Sequence, residues 1–107
     1  MIRVLIVDDH PVVRAGLKAL LSGEPGFEIV GDVASGEEAI KLCTSERIDL
    51  VLMDLQLGEG VQGTEATRIL RELTPAPHVL ILTNYDTDAD ILNAIEAGAS
   101  GYLLKDA

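Results

Sequence analysis

The segment Asp49-Leu50-Val51-Leu52-Met53-Asp54 decides the fold. Its interior is apolar without alternation, as in a strand covered on both faces, and such a strand belongs in the middle of a parallel sheet. The same grammar repeats on either side of it. Ile2-Arg3-Val4-Leu5-Ile6-Val7 is a β-branched apolar run ending at Asp8-Asp9. Further strands are expected over 27–33, 78–82 and 101–104, the last two running into Thr83 and Lys105.

Helical signals fill the gaps. Pro11 suits a first helical turn, and Val12, Val13, Gly16, Leu17, Leu20 and Leu21 recur behind it at helical spacing. Ser35-Gly36-Glu37-Glu38 has capping-box spacing for a second helix that carries Ala39, Ile40 and Cys43 inward. A third is expected over about 64–73, and a fourth over about 86–97 closed by Gly98. Strands alternating with helices predict right-handed βαβ units in one α/β domain spanning residues 1–107. An all-parallel sheet needs both faces covered, so a fifth helix is expected after strand five; the chain reads as truncated before it.

Bulk composition bounds the function. Hydrophobic content of 48% with 3% aromatics predicts an aliphatic core. A net charge of −10 argues against this segment gripping a nucleic-acid backbone. The single cysteine, Cys43, excludes an internal disulfide, fits a reducing compartment and reads as a small core residue. No apolar run approaches the ~20 residues of a bilayer span, so no membrane association and a cytoplasmic location are expected.

Reactive residues sit at four strand ends: Asp8 and Asp9, Asp54, Thr83 and Lys105. In an open α/β sheet, ligands bind beyond the carboxyl ends of the strands, near the switch in strand order. Three carboxylates brought together there would resist ionising unless a cation intervened, and Mg²⁺ with phosphoryl oxygens suits such a site. Asp54, on the central strand, is placed to accept a phosphoryl group. Asp9 would hold Mg²⁺ directly, Asp8 directly or through water, and the Gln56 carbonyl would complete the sphere. Lys105 would pair with one phosphoryl oxygen and the Thr83 hydroxyl with another. Taken singly, an acidic pair after a strand is a turn or cap, and a terminal lysine is solvated. Their joint placement carries the inference.

The stretches Val7-Asp8-Asp9-His10-Pro11, Leu52-Met53-Asp54-Leu55, Ile81-Leu82-Thr83 and Gly101-Tyr102-Leu103-Leu104-Lys105-Asp106 closely resemble the receiver domain of bacterial two-component response regulators. The stretch from Asp9 to Leu17 and the ending from Ala97 to Ala107 look like the subfamily that precedes a LuxR-type (NarL/FixJ-like) helix-turn-helix domain. The resemblance implies a flavodoxin-like (CheY-like) sheet of order 2-1-3-4-5, in which the four functional strands are neighbours. It also implies a phosphorelay. A sensor histidine kinase would phosphorylate Asp54, and the conformational shift would control dimerisation and DNA binding through an output domain absent from this chain. It implies an aromatic switch at Tyr102, following Thr83, and rate tuning by Gln56 and Tyr85. Such a domain is a switch that catalyses only its own phosphorylation and dephosphorylation, not a turnover enzyme.

Two departures from that family stand out. The loop after Asp54 has no proline, and its glycine, Gly63, falls nine residues on instead of eight, so a longer and more mobile loop is expected. Tyr85 is bulky where it would flank the phosphoryl group. His10 reads as a loop residue near helix one, and His78 as a strand start without a role.

Rival readings fare worse. A haloacid-dehalogenase-type phosphatase needs a second aspartate two residues after Asp8, where His10 stands, and a cap domain. No phosphate-binding glycine motif follows strand one. A silent interaction domain would not need all five site residues. With one sheet face left open, homodimerisation or other self-association is expected.

Overall fold

The structure, a computed structural model, describes residues 1–84 and 88–105. Its elements run β1 (Ile2–Val7), α1 (Pro11–Ser22), β2 (Phe27–Val33), α2 (Gly36–Ser45), β3 (Leu50–Asp54), α3 (Gly63–Arg71), β4 (His78–Thr83), α4 (Asp88–Glu96) and β5 (Gly101–Leu104). All strand pairs are parallel, in the order β2-β1-β3-β4-β5. This is the flavodoxin-like doubly wound sheet that was expected. The helix expected over 64–73 begins one residue earlier and ends at Arg71, and β4 extends through Thr83.

Register sets the strand ends level. Val7 pairs with Met53, Asp54 with Leu82, and Thr83 with Leu104. The residues at or just beyond those pairs, Asp8, Asp54, Thr83 and Lys105, therefore meet on one rim.

Strand alternation divides the core in two. Leu5, Val7, Val51, Met53, Val79 and Ile81 point to a fully buried layer closed by Ala39, Ala66, Leu70 and Ala94 of α2, α3 and α4. Cys43 packs against this layer half-buried, and desolvation raises its thiol pKa to about 11, so it is an inert thiol there. Val4, Ile6 and Leu52 point the other way, toward Leu17 and Leu21 of α1. That layer is thinner. No residue of α1 is fully buried, and Val12 and Leu20, members of its apolar repeat, are exposed. Leu17, Leu20, Leu80, Leu82 and Leu103 line an open apolar groove beside α1, with Leu103 55% exposed.

Local chemistry fixes the helix ends. The Ser35 hydroxyl accepts from the Glu38 N–H at 3.2 Å. The Glu38 carboxylate reaches back to the Ala34 N–H at 3.0 Å, one residue before the partner a capping box would use. Among the described residues, no helix is long and apolar enough to cross a membrane.

Gly63 starts α3 directly against the end of β3. Its N–H donates to the Leu55 carbonyl at 3.0 Å, and a Cβ there would collide with the Asp54 carbonyl oxygen. The clash is with backbone, which cannot rotate away. Gly63→Ala should therefore cost about 1–3 kcal/mol, the usual range for overpacking, read as a lowered denaturant midpoint. An unchanged midpoint would mean that the β3–α3 junction is not closely packed.

Candidate functional site

Two of the rim carboxylates are buried: Asp8 is 1% and Asp54 5% exposed. Burying a carboxylate is costly unless its oxygens find donors. Asp8 Oδ1 accepts from the His10 N–H at 2.9 Å, and the His10 Nδ1 lies 3.1 Å away. Asp8 Oδ2 accepts from Lys105 Nζ at 2.6 Å. The same ammonium lies 3.3 Å from Asp54 Oδ2, and the Gln56 N–H makes a long 3.4 Å contact with Asp54 Oδ1. Lys105 is brought there by β5, whose end is tied to β4 by the Lys105 N–H donating to the Thr83 carbonyl at 2.8 Å.

The two aspartates diverge electrically. Burial acts to raise the Asp8 pKa, but hydrogen bonds from Lys105 and the His10 N–H outweigh it and hold Asp8 below the usual carboxylate value. Burial, then the neighbouring Asp8 charge, pushes Asp54 above that value despite Lys105. For Lys105, burial opposes the charged form, yet Asp8 and Asp54 together raise its pKa. Asp8 and Lys105 thus favour each other's charge, and Asp54 carries the surplus negative charge.

Asp9 lies beside them, partly exposed. Among the described residues its Oδ1 is the buried side-chain oxygen with no hydrogen bond; His10 Nδ1 is 3.0 Å away, but not aligned for one. Ligand atoms of Asp8, Asp9, His10 and Asp54 all lie within 4.8 Å of one another. Three carboxylates brought this close, one with a buried oxygen that makes no hydrogen bond, are a donor set for a hard cation such as Mg²⁺, so these residues fit the expected ion.

Thr83 is fully buried at the end of β4 on the same rim. Tyr102 lies on β5 opposite Ile81 and is 45% exposed. Tyr85 lies outside the described residues. His78 begins β4, with Nδ1 3.3 Å from the Ser100 hydroxyl.

Three residues at the site escaped sequence reasoning. His10, a loop residue beside helix one as expected, is the N-cap of α1, and its ring, for which no role is read from the sequence, lies against the carboxylates. Arg14 donates through Nη1 to the Asp8 carbonyl at 2.6 Å and through Nε to Asp32 at 3.1 Å. Lys18 binds the other Asp32 oxygen at 3.0 Å, so α1 is keyed to the rim by charge. An arginine one turn into a helix that follows an acidic pair is a readable signal. The third, Gln62, has none. Its Oε1 accepts from the Leu57 N–H at 2.9 Å, and its Nε2 donates to the Gly58 and Gly60 carbonyls at 2.8 and 3.2 Å. Glu37 on α2 adds a bond from the Val61 N–H at 3.1 Å. The loop expected to be longer and more mobile is thus bridged by two side chains, Gln62 and Glu37.

These features coincide with the result of comparison: a model of the response regulator receiver domain matches residues 4–107. The chain belongs to this family. It is 45% identical over 106 residues to the transcriptional regulatory protein LiaR of Bacillus subtilis, covering 98% of this chain and 49% of LiaR. A LuxR-family two-component response regulator from Aurantimonas superposes with a TM-score of 0.91 at 43% identity, over 98% of this chain and 74% of that one. A Burkholderia pseudomallei response regulator, solved with a phosphorylated aspartic acid, a calcium ion and citrate, superposes with a TM-score of 0.89 at 30% identity, over 100% of this chain and 61% of that one. The receiver domain is thus of the LuxR/NarL type, and it spans about half the length of the curated relatives it matches.

The pKa directions give a test on the metal-free receiver. Asp54 lowers stability while ionised, and that penalty vanishes as pH falls through its raised folded pKa. Asp8 does the opposite: its contribution is complete above the ordinary carboxylate value and is lost as pH falls through its depressed folded pKa. Asp54→Asn in chelator should therefore raise the melting temperature at pH 7, by about 4–8 °C for each kcal/mol relieved in a domain of this size. The gain should shrink as pH falls toward the raised Asp54 pKa. A lower melting temperature at pH 7 would show that Lys105 more than compensates the Asp54 charge.

Proposed function

We propose that this receiver takes a phosphoryl group onto Asp54 from a sensor histidine kinase, with Mg²⁺, and so switches a DNA-binding output domain outside this chain. One observation carries the proposal. Asp54 ends the central strand beside Lys105, in a group with Asp8, Asp9 and His10 whose ligand atoms lie within 4.8 Å of one another. The phosphorylated aspartic acid of the Burkholderia relative supports it.

Asp54 supplies the nucleophilic oxygen. As its O–P bond forms, the P–N bond to the donor histidine breaks, and the electron pair stays on that nitrogen. Raising the Asp54 pKa makes its carboxylate more basic, while Lys105 keeps a positive charge where a phosphoryl oxygen would arrive. Asp8, Asp9, Asp54 and the Gln56 carbonyl would hold Mg²⁺, which when bound supplies positive charge against the phosphoryl oxygens. Thr83 is assigned the hydroxyl that binds a further oxygen, and Tyr102 the ring that turns inward with it; its exposure here leaves it a path to do so. Any shift of this kind requires the phosphoryl group to interact differently with the two states. Gln56 and Tyr85 are assigned to hydrolysis control. A cytoplasmic location follows from the kinase partner.

Self-association completes the proposal, a second copy covering the apolar groove formed by Leu20, Leu82 and Leu103. A strictly monomeric chain in sedimentation at high concentration would remove that part.

Incubation with acetyl phosphate and Mg²⁺ should give a single phosphoryl adduct by intact mass, absent in Asp54→Asn and with chelator. An adduct that persists in Asp54→Asn would place the acceptor elsewhere and overturn the assignment.

A further inference from the structure

We propose that Gln62 is a positioning residue for the metal site: through the Leu57 N–H it fixes the peptide whose other end is the Gln56 carbonyl. This rests on the assignment of that carbonyl as a Mg²⁺ ligand. The peptide group is planar, and in its trans form C=O and N–H point in opposite directions. A partner on the Leu57 N–H therefore sets the direction of the Gln56 carbonyl. That partner is Gln62 Oε1, at 2.9 Å. Its amide Nε2 is in turn held by the Gly58 and Gly60 carbonyls, so the bracing oxygen has no freedom to swing.

The surroundings place this peptide at the acidic cluster. The Gln56 N–H lies 3.4 Å from Asp54 Oδ1, and a Cβ on Gly58 would lie 3.4 Å from Asp9 Oδ2. Gln62 occupies the N-cap of α3 yet makes no capping bond, because its side chain is folded back into the loop. A hydrogen bond to the N–H also polarises the attached carbonyl, strengthening it as a cation donor. Residues that orient a metal ligand commonly contribute about 10–100-fold in affinity.

The loop's second brace provides the control. Glu37 holds the Val61 N–H, four residues beyond the critical peptide, and its carboxylate fills the space that a Cβ on Gly60 would need. Gln62→Met keeps the length of the side chain and removes both its acceptor and its donors. Glu37→Ala loosens the same loop without touching the Leu57 N–H.

Direct calorimetric titration with Mg²⁺ should show affinity reduced about tenfold in Gln62→Met, and changed less than about twofold in Glu37→Ala. Metal-free melting temperatures of the two variants should be alike. The rate of phosphorylation by acetyl phosphate at saturating Mg²⁺ should stay near wild type in Gln62→Met, with only the half-saturating Mg²⁺ concentration raised. Equal losses of affinity in both variants would reduce Gln62 to a general loop brace and overturn the proposal, as would unchanged affinity in Gln62→Met. A wild-type chain that binds no Mg²⁺ would overturn the metal assignment itself, a separable failure.

Discussion

The Lys105 ammonium, wedged between Asp8 and Asp54, is the contact on which the rim depends. It links residues 97 positions apart in sequence, and it can form only when β1, β3 and β5 are in register. Two buried carboxylates this close repel, and one cation between them cannot neutralise both. Asp8 takes the short bond, and its pKa falls despite burial; Asp54 is raised by burial and then by the Asp8 charge, which its longer contact with Lys105 does not offset. The nucleophile assigned to the site is thus the acid left under-compensated. Breaking such a buried pair from one side leaves an unpaired charge, which makes Lys105 a structural residue of the rim.

Much of this was legible in the residues. The unalternating run Leu50–Asp54 announced a central strand, and the ends of four strands announced one rim. Those signals are local, short-range and tied to strand burial, so they survive without a structure. Ser35 and Glu38 likewise predicted a helix start that the structure contains, shifted by one residue on the Glu38 side. What could not be read is the partnering. That Asp8 captures Lys105 more tightly than Asp54 does depends on distances of a few tenths of an ångström. That Arg14 holds the Asp8 carbonyl depends on where α1 crosses the sheet. Glycine frees the backbone of the loop after Asp54, so its sequence predicts mobility, while the glutamine that bridges it carries no sequence signal.

The two sheet faces explain the rest of the molecule. The face under α2, α3 and α4 is fully buried and supports the strand ends carrying Asp54 and Thr83. The other is covered by α1 over β1 and β2 and lies open near β4 and β5, where Leu82 and Leu103 line the groove. The strand that delivers Lys105 therefore lies at the less protected edge.

The central claim is that Lys105 leaves Asp54, and not Asp8, short of compensation. Carboxyl ¹³C chemical shifts of the aspartates, followed by NMR across an acid titration in chelator, measure this residue by residue. Asp54 is predicted to titrate above the ordinary carboxylate value and Asp8 below it. If the two titrate together at that ordinary value, Lys105 does not divide them, and the account of the site is wrong.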